Sequence, residues 1–155
     1  MNPEDKTQTN NTITDLESMT KQNTEFMTLK GNIYNAKIVY IYDGDTLHVV
    51  FKEFDKFYRW NCRIMGVDTP ELRTKNLKEK ELGYKVRDAL IERFMDKIVK
   101  IKCDEFDKYG RLLIDVFVPN DIEENDGNLM LSQWLINNEY AYEYDGGTKK
   151  SWDNL

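Results

Sequence analysis

Three aspartates and two arginines carry the chemistry open to this chain. Asp43-Gly44-Asp45 interrupts one strand-like run, Asp68 ends another, Arg63 stands five residues before it, and Arg111 follows Gly110 at the start of a third. Carboxylates gathered at one point repel each other unless a cation joins them. A hard divalent ion with oxygen ligands removes that conflict. Guanidinium forks match phosphate oxygens two at a time, so two of them facing such an ion would clamp a phosphodiester. Each residue alone also has a plainer reading: a turn, a strand-end cap, a surface arginine. The joint arrangement carries the argument.

The elements that must position these groups can be read from periodicity. Ile33 to Ile41 alternates and is rich in Val, Ile and Tyr, which predicts a strand. Thr46 to Phe51 predicts a second, with Leu47, Val49 and Phe51 on one face. A loop over Glu53 to Lys56 then returns the chain as a third strand, Phe57 to Val67, with Trp60, Cys62 and Ile64 sharing a face. With that loop, Asp45 faces Ile64 or Met65, and Asp68 lies just beyond. Asp45 shares parity with Leu47 and Val49, and Asp68 with Cys62 and Ile64, so both carboxylates prolong apolar faces at one mouth. Strict alternation leaves Arg63 on the other face, and a bulge near Gly66 is expected to bring it round.

Downstream, Leu82, Val86, Leu90 and Phe94 are spaced as a helix from about Lys80. Ile98 to Lys102 and Leu112 to Val118 predict strands on either side of the turn Asp107-Lys108-Tyr109-Gly110. Leu129 to Asn138 predicts a short second helix, and Tyr140 to Tyr142 a last short strand. The expected fold is α+β: a five-stranded β-barrel of the oligonucleotide/oligosaccharide-binding (OB-fold) type, capped by two or three helices. The expected domain runs over 33–144. A polar, disordered N-terminal tail (1–32) precedes it and a polar C-terminal tail (145–155) follows.

The net charge of −6 is unlike that of a protein that coats nucleic acid. Residues 1–32 hold five acids and three lysines and residues 119–155 eight acids and two lysines. That leaves 17 basic and 15 acidic side chains, a net of +2, for 33–118. A mildly positive middle admits phosphate at a site. Two cysteines, Cys62 and Cys103, are too few for a disulfide framework and lack zinc spacing, so both are expected as buried free thiols. No apolar run approaches the ~20 residues needed to span a bilayer. The start Met1-Asn2-Pro3-Glu4-Asp5 has the wrong chemistry for a leader peptide, and an intracellular, cytoplasmic location is expected. His48, the only histidine, faces away from the acids and is read as structural. Trp60 and Trp134 are read as core.

Asp43-Gly44-Asp45-Thr46, Arg63-Ile64-Met65-Gly66-Val67-Asp68-Thr69-Pro70-Glu71 and Asp107-Lys108-Tyr109-Gly110-Arg111, in this order, resemble the staphylococcal nuclease family. The resemblance implies one Ca²⁺ held by Asp45, Asp68 and the backbone carbonyl of Thr69. It implies Glu71 as the group that positions or deprotonates the attacking water, and Arg63 and Arg111 as phosphate holders. Lys108 and Tyr109 would face the substrate, with Tyr142 and Tyr144 as further candidates. The implied activity is calcium-dependent hydrolysis of DNA and RNA to products with 3′-phosphates, by a monomer. A barrel that binds nucleic acid or protein without cleaving is the alternative. The chain departs from the family in a shorter loop before Asp107 and in ending on Tyr144-Asp145-Gly146-Gly147-Thr148-Lys149 in place of a long helix.

Overall fold

The computed structural model describes residues 10–154. After a helix α1 (Asn10–Glu17) come strands β1 (Ile33–Ile41), β2 (Thr46–Glu53), β3 (Lys56–Ile64) and β4 (Val67–Asp68). Helix α2 (Leu77–Phe94), strands β5 (Ile98–Phe106) and β6 (Leu112–Phe117), helix α3 (Leu131–Asn137) and strand β7 (Tyr142–Glu143) follow, and a 3-10 turn over Trp152–Asn154 closes the described chain. Five strands close a barrel in the order β1-β2-β3-β6-β5, and β4 pairs with β7 in a small separate sheet. The β3–β6 pairing is parallel and the other barrel pairings are antiparallel. This is the expected α+β barrel with helical caps.

The β2–β3 hairpin sets the register of the site. Glu53 pairs with Lys56, so the loop is the two-residue turn Phe54-Asp55, both at positive φ. Such turns match the twist of the flanking strands. The turn is tighter than the loop predicted over Glu53 to Lys56, but the register is kept: Thr46 lies opposite Arg63 and Leu47 opposite Cys62. Leu47, Val49 and Phe51 are buried in the barrel with Cys62 and Ile64, and both cysteines are free.

The third strand differs from its prediction. It stops at Ile64 rather than Val67, because Met65 and Gly66 make a turn with Gly66 at φ +78°. Glycine enters that region without the steric cost other residues meet. The expected bulge is thus a full reversal of alternation, and β4 starts a new phase beyond it.

Helix α2 starts three residues earlier than the periodicity suggested. Asn76 caps it, its side chain accepting from the Glu79 amide at 3.1 Å; such a cap stabilises a helix by about 1 kcal/mol. Its buried stripe is Gly83, Val86, Leu90 and Phe94. A Cβ at position 83 would stand 2.8 Å from Leu72 Cδ2 and 3.0 Å from the Pro70 carbonyl oxygen. Glycine there lets α2 press against the segment that carries Glu71, and Glu79 accepts from the Glu71 amide at 2.8 Å.

Packing runs past both expected edges of the domain. Leu29 is buried, and Gly31 and Asn32 exchange backbone bonds with Cys103 at 2.9 Å. Residues 10–17, read as tail from their polarity, form α1; residues 1–9 lie outside the described residues. At the other end Trp152 is buried, with its ring 5.2 Å from that of Tyr142. Among the described residues no helix is long and apolar enough to cross a membrane.

Candidate active site

At one mouth of the barrel the β1–β2 loop, the end of β3, β4 and the β5–β6 turn converge. Asp43 turns the loop: its Oδ1 accepts from the amides of Asp45 at 3.1 Å and Thr46 at 2.8 Å. Gly44 permits the close approach, since a Cβ there would stand 2.7 Å from Thr69 Cβ. Asp43, Asp45, Asp68 and Thr69 are all buried. Burial, then the charge of Asp45, pushes the Asp43 carboxyl up to about 8.

Arg63 joins the two acids that the hairpin argument placed together. Its Nη2 lies 3.5 Å from Asp45 Oδ2 and 4.0 Å from Asp68 Oδ1. The same guanidinium donates to the carbonyls of Ile64 and Val67 at 3.0 Å each. The turn at Met65–Gly66 makes this possible, because the side chain reaches over the strand end it has just left. Arg111 arrives from the β5–β6 turn. Its Nε donates to Asp107 Oδ2 at 2.8 Å and its Nη1 to Thr46 Oγ1 at 3.3 Å, while Thr46 Oγ1 donates to Asp45 Oδ1 at 3.1 Å. Burial works to raise the Asp107 carboxyl. The amides of Arg111 and Tyr109 and the Arg111 guanidinium outweigh it and hold the group below its usual range, so Asp107 stays charged and aims Arg111.

Asp68 is held from the other side by the C-terminal segment. Tyr142 donates its hydroxyl to Asp68 Oδ2 at 2.7 Å. Burial, then that bond, pushes the phenol up to about 12, so it remains a donor. Lys149 Nζ lies 3.3 Å from Asp68 Oδ1 and 3.1 Å from Glu71 Oε1. Burial lowers the pKa of this ammonium, but Glu71 and Asp68 raise it more, so it stays charged.

Beside these groups opens a cleft of about 560 Å³, whose walls include Arg63, Arg111, Lys108, Tyr109, Tyr144 and Lys149. Tyr109 is 72% exposed, and Lys108 Nζ stands 5.2 Å from its ring centre. The predicted set Asp45, Arg63, Asp68, Thr69, Glu71 and Arg111 is therefore gathered at one mouth, with Lys108 and Tyr109 on its rim. Sequence reasoning missed Asp107 as the group that aims Arg111, and Lys149 altogether; it placed Tyr142 with the substrate rather than on Asp68. A turn aspartate four residues before an arginine was the one legible signal among them.

The donor set suits a hard cation. Thr69 Oγ1 is buried without a hydrogen-bond partner, and Asp68 Oδ1 is met by the ion-pair contacts of Lys149 and Arg63 and by no well-aligned hydrogen bond, so oxygen capacity is left for a cation. Among the described residues no three His, Cys, Asp or Glu side chains form a metal cluster. Two carboxylates and a carbonyl fall below that count, yet calcium completes its six to eight oxygens with carbonyls and water.

A small closed barrel with acids and guanidiniums at one mouth defines the class, and comparison with known families gives the kinship. The chain belongs to the staphylococcal nuclease homologue family, whose model matches residues 61–153, and its domain is nuclease-like. The match covers Arg63, Asp68, Glu71 and Arg111; Asp45 lies before it. The chain is also 32% identical over 133 residues to MJ1439 of Methanocaldococcus jannaschii, an uncharacterised protein. That alignment takes in 72% of this chain and 59% of the relative, so the chain spans less than two thirds of that protein's length.

Proposed function

We propose that the chain is a calcium-dependent phosphodiesterase that hydrolyses DNA and RNA to products with 3′-phosphates. The observation that carries this reading is that Arg63 and Arg111, from separate elements, both reach the Asp45–Thr46 edge and both line one cleft. Asp45, Asp68 and the Thr69 carbonyl would hold Ca²⁺, which when bound supplies Lewis acidity and a template for in-line attack. The chain's own groups supply the rest. Arg63 and Arg111 hold the phosphate and meet the charge that builds on its oxygens as water adds to phosphorus. Glu71 takes the proton from that water. The bond to the 5′ oxygen breaks with its electron pair going to that oxygen, and the oxygen takes a proton from solvent to leave as a 5′-hydroxyl. Positioned donors of this kind lower barriers by about 3–4 kcal/mol each. Lys108 and Tyr109, on the rim of the cleft, would meet the next nucleotide, its base displacing the cations that stand over the exposed tyrosine ring.

The test is incubation of the protein with heat-denatured DNA and with RNA, in Ca²⁺ or in chelator, followed by end-group analysis. Cleavage that chelator abolishes, leaving 3′-phosphates, is the expected result. Intact nucleic acid in Ca²⁺ would hand the site to a binding module that does not cleave.

A further inference from the structure

The β2–β3 hairpin outgrows the barrel it helps to close. The pairing of β2 with β1 ends at Val50, and that of β3 with β6 begins at Cys62. Between those rows the chain runs on as a two-stranded ribbon, paired from Phe51–Tyr58 to Glu53–Lys56. The root of the ribbon is packed: the buried Phe51 ring stacks on Tyr34 and on Trp60, with ring centres 4.3 and 4.6 Å apart. Its tip is not. Phe54 is 58% exposed, Phe57 67% and Tyr58 41%, and Lys52, Asp55, Lys56 and Arg59 around them are exposed as well.

Backbone, geometry and charge each say something about what meets this tip. Phe54 adopts φ +54°, a region that suits glycine or asparagine and that a bulky ring rarely enters. The chain keeps a ring there although neither packing nor turn chemistry asks for one. Phe57 and Tyr58 are neighbours in β3 and so point to opposite faces of the ribbon, while Phe54 sits at its end. A groove in a protein would take one face and leave the other in water; rings on both faces and at the end suit an apolar medium that surrounds the tip. Lys52, opposite Phe57, and Arg59 flank one face, and on the other Lys56 Nζ stands 5.3 Å from the Tyr58 ring centre. Of the two acids, Glu53 is engaged, its carboxylate accepting from the Tyr34 hydroxyl and the Phe54 amide. Lys52, Lys56 and Arg59 against Glu53 and Asp55 leave the ribbon positive in a chain of net charge −6.

We propose that the tip of the β2–β3 hairpin, residues 52–59, is a wedge that docks the protein on an anionic lipid bilayer. Strand rise puts Lys52 and Phe57 about 7 Å behind Phe54, and Arg59 about 14 Å behind it. Apolar groups of surface-bound proteins enter the headgroup–acyl boundary by about 5–10 Å. The three rings therefore reach that boundary while Lys52 and Arg59 lie among the lipid phosphates, where anionic headgroups hold cations. A ribbon of this length lies on a bilayer and does not cross it. The docking goes beyond the reading of the cleft and does not depend on it. The cleft, at Thr46 and Arg63, is at the other end of the same hairpin, clear of the lipid.

The experiment sediments the full chain, in chelator, with vesicles of phosphatidylcholine alone or with about one third phosphatidylserine. The parent should pellet with the anionic vesicles and far less with the neutral ones. Phe54→Gly and Phe57→Ser should each lower that partition about fivefold or more. Phe54→Gly should melt no lower than the parent, because glycine enters the left-handed region freely, so its lost binding is not a loss of fold. Lys52→Glu with Arg59→Glu should lower the partition about tenfold or more. A parent that stays in solution with the anionic vesicles overturns the proposal. So does parent-like partition by both ring variants, or equal partition of the parent onto neutral vesicles. Ring variants that keep the vesicles but lose a labelled oligothymidylate would give the tip to nucleic acid and overturn it too.

Discussion

Asp68, on β4 at the barrel mouth, and Asp115, on barrel strand β6, are both buried, and their oxygens are treated in opposite ways. Asp115 on β6 is filled. Its Oδ1 accepts from the amides of Val116 at 2.9 Å and Ser132 at 3.0 Å, and its Oδ2 takes the Ser132 hydroxyl in a short bond. The contact ties α3 to the barrel. Asp68 has one oxygen on Tyr142, while the other receives no hydrogen bond and faces Lys149 and Arg63 at salt-bridge distance. A buried carboxylate with every acceptor used holds a fold together. On the proposed reading, one kept with an acceptor in reserve gives up stability for metal binding.

The sharpest test of that contrast is turnover. Glu71→Gln and Arg111→Ala should each cut cleavage of denatured DNA by about 10²–10³-fold. Glu71→Gln should leave the melting temperature within about 2 °C, because Glu71 is half exposed. Wild-type turnover in either variant would strip that residue of its role.

Next in size is the response to calcium. At a hundredfold excess over Kd a ligand stabilises by about 2.7 kcal/mol, so the parent should melt several degrees higher in Ca²⁺ than in chelator. Asp68→Asn should erase this difference and keep the chelated protein within about 1 kcal/mol of the parent. A parent that melts alike in both conditions would erase the distinction between the two aspartates.

Asp115 should show the reverse pattern. Asp115→Ala strands the Ser132 and Val116 donors and should cost about 1–3 kcal/mol by urea unfolding, with turnover per folded molecule unchanged. Burial raises the Asp115 pKa, against the smaller pull of its three hydrogen bonds. The folded chain therefore holds this proton to higher pH than the unfolded chain does. That contribution is present at low pH and is lost as pH rises from the ordinary carboxylate range through the folded value. Asp115→Asn should flatten that part of the profile. A steeper decline in the variant would reverse the assignment.

The smallest effect belongs to Lys149, which spans Asp68 and Glu71 from a partly exposed position. Lys149→Met should lower the Ca²⁺ needed for half-maximal cleavage by up to about fivefold, the scale of an exposed ion pair. A higher requirement would make the lysine a helper of the site rather than a competitor for Asp68.

Much of the barrel was legible because alternation of period two is a local property. Leu47, Val49 and Phe51 announce their face without reference to any partner, and the short loop after Glu53 fixes which residue of β3 each one meets. The same parity brought Asp45 to the mouth. It kept Arg63 on the outer side of β3, opposite Thr46, and could not foresee that the side chain reaches back over the strand end. Past the left-handed Gly66 the phase is reset, so the place of Asp68 was decided by the turn and not by parity. Nor could it place the ends. Leu29 and Trp152 sit in polar stretches with no period, where a single apolar side chain gives no signal until there is a surface to receive it.

From its residues alone the chain determined five strands, a long helix, the hairpin register and the inward direction of Asp45, because each follows from neighbours a few positions apart. Tertiary structure decided which cations meet Asp45 and Asp68. Arg63 reaches them over a turn, Arg111 is aimed by Asp107, and Lys149 and Tyr142 are brought in by a segment anchored through Trp152 and the β4–β7 pair. Charges attract across space and not along sequence, so their pairing waits on the closing of the barrel.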